Sequence, residues 1–166
     1  MKRLTLVRHA KSSWSDPSLP DSERPLSSRG ERDAPAMAAR LAARGERPDS
    51  ILTSHARRAR MTAQAFAARL ELPDDVVRVD RRLYLATADA LLDLLRDQDD
   101  RLSHVLTVGH NPGISEAASR LVPALSDESL PTSAVVAIAV DSDRWAHLEP
   151  SVCRLLYYET PKRLGT

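Results

Sequence analysis

Arginine and histidine side chains follow three separate apolar runs of this sequence. Arg8 and His9 come directly after the run at residues 4–7, and His110 comes two residues after the run at 105–108. The run at 51–53 is followed by three arginines, Arg57, Arg58 and Arg60. Guanidinium and imidazole groups are poorly suited to an apolar core. We therefore expect them to bind a ligand outside the strand ends.

The chemistry that these residue types favour is phosphoryl transfer. Guanidinium groups bind phosphate oxygens through paired N–H donors. Asn111 and Pro112 are typical of a helix start, with Asn111 as the N-cap, so backbone N–H groups should point at the same anion. A neutral histidine can attack phosphorus and form a phosphohistidine that water later hydrolyses. Arginines stabilise the charge on the transferring group, so we expect no metal and no other cofactor.

Each of these features also has an ordinary structural explanation. Arginines on a helix usually form a solvated face, and only one or two of the three near residue 58 can point at the strand edge. A loop histidine such as His110 often bonds only to backbone. The joint placement at three strand ends is what favours a phosphate site.

The order of elements predicts an α/β fold. Apolar runs predict strands at residues 4–7, 51–53, 105–108 and 134–140, with weaker candidates at 76–79 and 145–148. Amphipathic segments predict helices within residues 34–42, 59–70, 91–95 and 114–121. This alternation indicates a three-layer sandwich, with a mostly parallel central sheet and helices on both faces. Ligands of such sheets bind beyond the carboxyl ends of the strands, where the arginines and histidines lie.

Local signals predict the ends of the first helix and two loops. Ser28 and Glu31 are spaced as a capping box, and Gly45 is placed as a C-cap glycine. Pro35 predicts either a kink or a later helix start. Residues 11–25 and 121–131 are predicted loops. Trp14, in the first loop, either packs that loop or binds a partner, and packing is the commoner fate.

Composition excludes several classes of protein. The 166 residues suit one domain over 1–166. The net charge of +1, from 24 basic and 23 acidic residues, argues against a nucleic-acid partner. The N-terminal apolar stretch is too short for a signal peptide, and no run of about 18 apolar residues predicts a membrane span. One cysteine allows no internal disulfide. We expect a cytoplasmic protein and, without a heptad or exposed apolar stripe, a monomer.

Several ordered motifs resemble those of the histidine phosphatase superfamily, the phosphoglycerate mutase-like proteins. LVRHA is similar to its RHG/RHA signature, SHARRARMTA to its S-x-x-x-R-A-x-x-T-A motif, and VGHNPG supplies its second histidine. RHAKSSW, RPLSSRG, LYLA and TSA more narrowly resemble the small phosphohistidine phosphatases of the SixA type. The resemblance extends from residue 4 to beyond residue 140.

The resemblance implies a role for each matching residue. His9 would be the nucleophile, transiently phosphorylated. Three residues would hold the phosphoryl oxygens: Arg8, Arg58 and His110. Arg24, in the RPL motif, would reach the same pocket. The motif residues Ser54 and Thr62 we interpret as structural, and Lys11 can face either the anion or water.

One departure concerns the acid that protonates an alcohol leaving group in larger members. Those members carry a glutamate where this chain reads VDRRLYLA. A P–N bond to imidazole breaks more easily than a P–O ester, so general-acid help, worth roughly 10²–10⁴-fold, matters less. The chain also lacks the long insertions that enclose a small substrate. An open cleft suits a phosphohistidine displayed on another protein.

The leading hypothesis is therefore a metal-independent phosphatase of protein phosphohistidine. Its closest alternative is a phosphatase of small phosphomonoesters, or a mutase, with an acid supplied by a loop carboxylate: Asp16, Asp21, Glu23 or Asp80. A phosphate-sensing module without turnover ranks lower, because the nucleophile is present. A zinc site from the histidines and Cys153 is rejected, since their spacings match no usual ligand pattern and the arginines would repel a cation.

Overall fold

The computed structural model describes residues 1–162, and residues 163–166 of the predicted domain lie outside the described residues. Residues 1–162 contain one six-stranded sheet. Its strands, β1 to β6 in chain order, are Lys2–Arg8, Ser50–Thr53, Val77–Val79, His104–Gly109, Val135–Val140 and Cys153–Glu159. The spatial order is β3-β2-β4-β1-β5-β6. The pairs from β3 to β1 are parallel, and β5 and β6 each pair antiparallel.

Four α-helices cover the two faces of the sheet, α1 to α4: Ser28–Ala43, Arg57–Arg69, Ala88–Arg96 and Gly113–Leu121. Helices α1 and α2 pack on one face, and α3 and α4 on the other. Leu6 and Val7 are adjacent in β1 and fully buried, and they point into these two different layers. The predicted three-layer α/β sandwich with a mostly parallel centre is confirmed. No helix of residues 1–162 is long and apolar enough to cross a membrane.

The start of α1 differs from the predicted capping box. The N-cap is Ser27 rather than Ser28, and its hydroxyl accepts a hydrogen bond from the Gly30 N–H at 3.2 Å. A Cβ at Gly30 would lie 2.2 Å from the carbonyl oxygen of Lys11, so only glycine lets the helix lie this close to the loop after β1. The later start suggested by Pro35 is wrong, because α1 runs through it. Gly45 has φ +75° and ends the helix as predicted.

Two strand predictions also need correction. The weak candidate at residues 145–148 is wrong, because Trp145–His147 is a 3-10 turn with the indole fully buried. The antiparallel edge strand β6 was not predicted, although its Tyr157 and Tyr158 are typical strand residues. The strand predicted at 76–79 begins at Val77, after a 3-10 turn.

The start of α4 differs from the prediction as well. Pro112 takes the N-cap position, and Asn111 does not cap the helix. The Asn111 side chain instead bridges two elements, donating to the Leu130 carbonyl at 3.0 Å and accepting from the Ser115 hydroxyl at 2.5 Å. The Ile114 N–H donates to the carbonyl of His110 at 2.9 Å, so this first-turn amide is not available to an anion.

Candidate active site

The three predicted strand ends meet at one edge of the sheet. Arg8, the last residue of β1, lies in register with Gly109, the last residue of β4. The His9 N–H donates to the Gly109 carbonyl at 3.1 Å, and the ring centroids of His9 and His110 are 5.2 Å apart. Strand β2 ends beside β4, so Arg58 at the start of α2 reaches the same edge. The structure therefore brings together the residues that the sequence predicted.

His9 is held as a neutral imidazole in one tautomer. Its ring Nδ1 is 2.8 Å from the carbonyl oxygen of Ala10. A carbonyl can only accept, so Nδ1 carries the proton and Nε2 keeps its lone pair. Burial lowers the pKa of His9 to about 4; the Ala10 carbonyl opposes this shift, and the charges of nearby arginines, Arg58 foremost, add to it. Nε2 has no hydrogen-bond partner among residues 1–162, and is placed to act as a nucleophile.

Arg8 and Arg58 each present a buried donor without a partner. Arg8 donates through Nη1 to the Leu130 carbonyl at 2.9 Å, and its Nε has no partner in residues 1–162. Arg58 is 3% exposed and its Nε is likewise unpaired. Burial, and then the charge of Arg58, lower the pKa of Arg8. A buried N–H without a partner costs about 1–3 kcal/mol, so two such donors beside His9 indicate the place of an anion.

Asp21 accepts hydrogen bonds from both terminal nitrogens of the Arg58 guanidinium. Arg58 Nη1 donates to the Asp21 main-chain carbonyl at 2.8 Å, and Nη2 to Asp21 Oδ2 at 3.0 Å. Because Asp21 occupies both terminal nitrogens, the side of the guanidinium that carries Nε is the one left to bind a phosphoryl group.

His110 is positioned by Ser54, the residue after β2. The ring Nε2 of His110 is 2.7 Å from Ser54 Oγ, which also accepts from the Ala56 N–H at 3.3 Å. The ring Nδ1 lies on the side of Arg58, 3.5 Å from its Nη2. Burial lowers the pKa of His110 to about 3, and the neighbouring His9 and Arg58 contribute. His110 is therefore neutral and fixed in orientation.

Thr62, in α2, is bonded to the loop after β1. Its hydroxyl accepts from the Ala10 N–H at 3.0 Å and donates to the Arg58 carbonyl at 2.8 Å. The sequence interpretation of Ser54 and Thr62 as structural residues did not include these specific contacts. Ser54 thus orients the His110 ring, and Thr62 ties the residue after His9 to the Arg58 main chain.

Arg24 lies beside the site but most of its donors are engaged. Its Nη2 and Nε donate to Asp21 Oδ1 at 3.0 and 3.3 Å, and Nη1 donates to Ser12 Oγ at 2.6 Å. Arg24 thus joins the site through Asp21, and a direct contact with the phosphoryl group stays a prediction. Tyr84, in the LYLA motif, also donates its hydroxyl to Asp21, and its ring is nearly perpendicular to that of His110, with centroids 5.6 Å apart.

The comparisons with known proteins agree with this geometry. The family model of the histidine phosphatase superfamily (branch 1) matches residues 4–84. An uncharacterised protein of Mycobacterium tuberculosis is 31% identical over 165 residues, which cover 94% of this chain and 100% of that protein. The chain belongs to the histidine phosphatase superfamily. An uncharacterised chloroplastic protein of Arabidopsis thaliana is 38% identical over 128 residues, and the match spans 72% of this chain but only 59% of that relative's length.

Solved structures place this superfamily member beside SixA-type proteins. A protein of Agrobacterium tumefaciens, provisionally named phosphohistidine phosphatase SixA, has a TM-score of 0.82 and 28% identity, with 96% of this chain and 98% of that chain covered. A protein histidine phosphatase SixA complexed with tungstate has a TM-score of 0.81 at 21% identity, with 98% and 99% covered, and shows the shared fold. The family and the site together support a phosphatase, a hydrolase of phosphoryl groups.

The four loop carboxylates suggested as an acid in this superfamily member are differently placed. Asp16 bonds to Ser18, Asp80 pairs with Arg82 at 2.7 Å, and Glu23 is exposed at the end of the 3-10 turn Asp21–Glu23. Only Asp21 is seen to contact the arginines of the site. Burial works to raise the pKa of Asp21, but hydrogen bonds from Tyr84 and two arginines lower it strongly, so the carboxylate is ionised. Within residues 1–162 no group of three histidine, cysteine, aspartate or glutamate side chains is arranged to hold a metal ion.

Proposed function

We propose that this protein removes phosphoryl groups from phosphohistidine side chains of other proteins, through a covalent phosphohistidine on His9 and without a metal. The observation that carries the proposal is the environment of His9. A neutral imidazole with a free Nε2 lies among buried guanidinium groups whose Nε donors, on Arg8 and Arg58, have no partner. The nucleophile and the anion-binding donors are therefore present together.

The reaction has two displacements at phosphorus. In the first, the Nε2 lone pair of His9 attacks a phosphohistidine whose other ring nitrogen carries a proton. The P–N bond to the substrate breaks with its electron pair returning to that ring, which leaves as a neutral imidazole. In the second, water attacks the phosphorylated His9, the new P–N bond breaks, and Nε2 recovers its lone pair. Phosphate then leaves with the oxygen of the water, and a proton of that water passes to the solvent. Arg8 and Arg58 stabilise the charge on the non-transferred oxygens in both steps.

The preference for phosphohistidine follows from the leaving group. In the first step one imidazole replaces another on phosphorus, so little help from an acid is needed. An alcohol would leave as an alkoxide and require a proton. Asp21 is ionised and bonded to Arg58, Arg24 and Tyr84, so it has no proton to give. The site thus favours P–N over P–O cleavage.

The similarity to SixA-type structures supports the same substrate class. The two SixA structures have phosphohistidine or protein histidine phosphatase in their names, and one of them holds tungstate, a tetrahedral oxyanion like phosphate. The protein partner, a cytoplasmic location and the monomeric state remain predictions from the sequence.

The experiment that tests the proposal measures phosphate release by the wild type and by His9→Ala, in the presence of EDTA. The substrates are a histidine-phosphorylated phosphotransfer domain and a simple phosphomonoester. We expect release from the phosphohistidine that is lost in the variant. Equal or faster turnover of the monoester would favour the small-molecule phosphatase instead. Release that survives the substitution would overturn the role of His9.

A further inference from the structure

Trp14 is exposed to solvent yet firmly held beside the active site. Its side chain lies in the loop after β1, and the residue is 69% exposed. The indole stacks on the guanidinium of Arg24, whose carbon lies 3.6 Å from the ring centroid. Arg24 is itself buried and bonded to Asp21 and Ser12. The indole thus contacts the loop through Arg24 but leaves most of its surface exposed, and none of the steps at phosphorus uses this ring.

Leu85 is a second exposed apolar residue at the same mouth. It is 54% exposed and has φ +49°, a left-handed conformation that is costly for a leucine. The residue before it, Tyr84, donates its hydroxyl to Asp21. Arg24, on which Trp14 stacks, bonds to the same carboxylate. Trp14 therefore lies against Arg24, and Leu85 directly follows Tyr84. Arg24 and Tyr84 both bond to Asp21.

Positive charges without partners accompany these apolar residues. Among the exposed cations that have no ion pair within residues 1–162, three lie close in the chain to residues of the site: Lys11, Arg57 and Arg81. Lys11 follows His9 by two residues, Arg57 precedes Arg58, and Arg81 lies three residues before Tyr84. Each of the three segments that carry His9, Arg58 and Tyr84 therefore also carries an exposed, unpaired positive charge. Such charges are complementary to an acidic partner.

We propose that Trp14, Leu85 and these three cations form a docking surface for a folded protein substrate, whose phosphohistidine lies among acidic side chains next to an apolar patch. The inference rests on the proposed function and deepens it. A phosphoryl group alone would bind among the buried donors around His9, so a small substrate would leave the docking surface uncovered. Exposed aromatic residues that are already ordered lose little freedom on binding and commonly anchor protein interfaces.

The test compares one P–N bond with and without its protein. The substrates are free phosphohistidine and a histidine-phosphorylated phosphotransfer domain whose histidine is flanked by acidic residues. For Trp14→Ala we expect kcat/KM on the domain to fall at least about tenfold, mainly through KM, because interface anchors carry most of the binding energy. The kcat/KM on free phosphohistidine should fall less than about threefold, since the contacts to the phosphoryl group itself are retained.

Matched variants separate docking from damage to the loop. Trp14→Phe should restore most of the activity on the domain, and Leu85→Ser should weaken only that activity. Val79→Ser is the control, because Val79 is 53% exposed but lines the groove between β3 and α2. With the domain as substrate, added salt should raise KM. Arg81→Gln should make that increase smaller.

Each result decides between the proposals. A wild type that cleaves neither phosphohistidine substrate would overturn the proposed function. A wild type that cleaves both, with a ratio of kcat/KM that Trp14→Ala and Leu85→Ser leave unchanged, would overturn the docking surface alone. Equal losses on both substrates would also overturn it, because they would show an effect through Arg24 rather than through the partner.

Discussion

The nucleophile should remain available in mild acid, where an ordinary histidine would be protonated. The perturbation is a lower pH, and the surroundings of His9 predict how much of its imidazole stays neutral. His9 is buried, three arginines lie near it, and burial first and their charges next bring its pKa to about 4. Only the proton on Nδ1, held by the Ala10 carbonyl, is present in the active form.

The size of the effect follows from this pKa. At pH 5 a histidine with a pKa of about 4 is about 90% neutral, whereas one at the ordinary 6.5 is only about 3% neutral. The difference in available nucleophile is therefore roughly thirtyfold at pH 5. Above pH 7 the two cases nearly converge, so the acid range is where the prediction is sharp.

Heteronuclear NMR of the ring nitrogens of the free protein measures both the midpoint and the tautomer. The His9 resonances are assigned by their loss in His9→Gln. We expect a midpoint near pH 4, with Nδ1 protonated and Nε2 bare in the neutral form. A midpoint near 6.5, or a proton on Nε2 in the neutral form, would refute the reasoning about the nucleophile.

Substitutions at three further positions test buried contacts, two of them at the loop after β1 and one at the opposite end of the sheet. Thr62→Val leaves the buried Ala10 N–H without an acceptor and should lower the free energy of unfolding in urea by about 1–3 kcal/mol, whereas Thr62→Ser should lose less. Gly30→Ala forces a Cβ against Lys11 and should cost about 1–3 kcal/mol, seen as a lower Tm; an unchanged Tm would contradict that contact. His104 lies at the far end of β4, and burial is the main cause that lowers its pKa to about 4. Between about pH 6.5 and 4 the folded protein therefore binds fewer protons at His104 than the unfolded chain does. Stability is therefore lost as the pH falls, and His104→Gln should lose roughly 2.5 kcal/mol less than the wild type between pH 7.5 and 4.5 in urea titrations.

The meeting of His9, His110 and Arg58 could be predicted because it depends only on chain direction. Residues that follow parallel strands come out at one edge, whatever the details of packing. The apolar runs of β1, β4 and β5 are buried on both faces and are therefore long enough to recognise. The edge strand β6 is only partly buried, and its pattern is correspondingly weaker.

The contacts that tune the site could not be predicted from spacing. Ser54 reaches His110 only because β2 pairs with β4 in a particular register. Asp21 meets Arg58 because an irregular loop crosses from β1 to the start of α2, and such a path has no periodicity to read. The capping residue of α1 was misplaced by one position because Ser27 and Ser28 are both good caps, and the close approach of Lys11 to Gly30 decides between them.

The most direct measurement is the trapping of the phosphorylated enzyme. The protein is mixed with a phosphotransfer domain carrying radioactive phosphohistidine, quenched in alkali within milliseconds, digested and mapped. We predict an alkali-stable, acid-labile label on the peptide that contains His9, appearing before free phosphate and absent in His9→Ala. Phosphate release without any such label, or a label on another residue, would contradict the account.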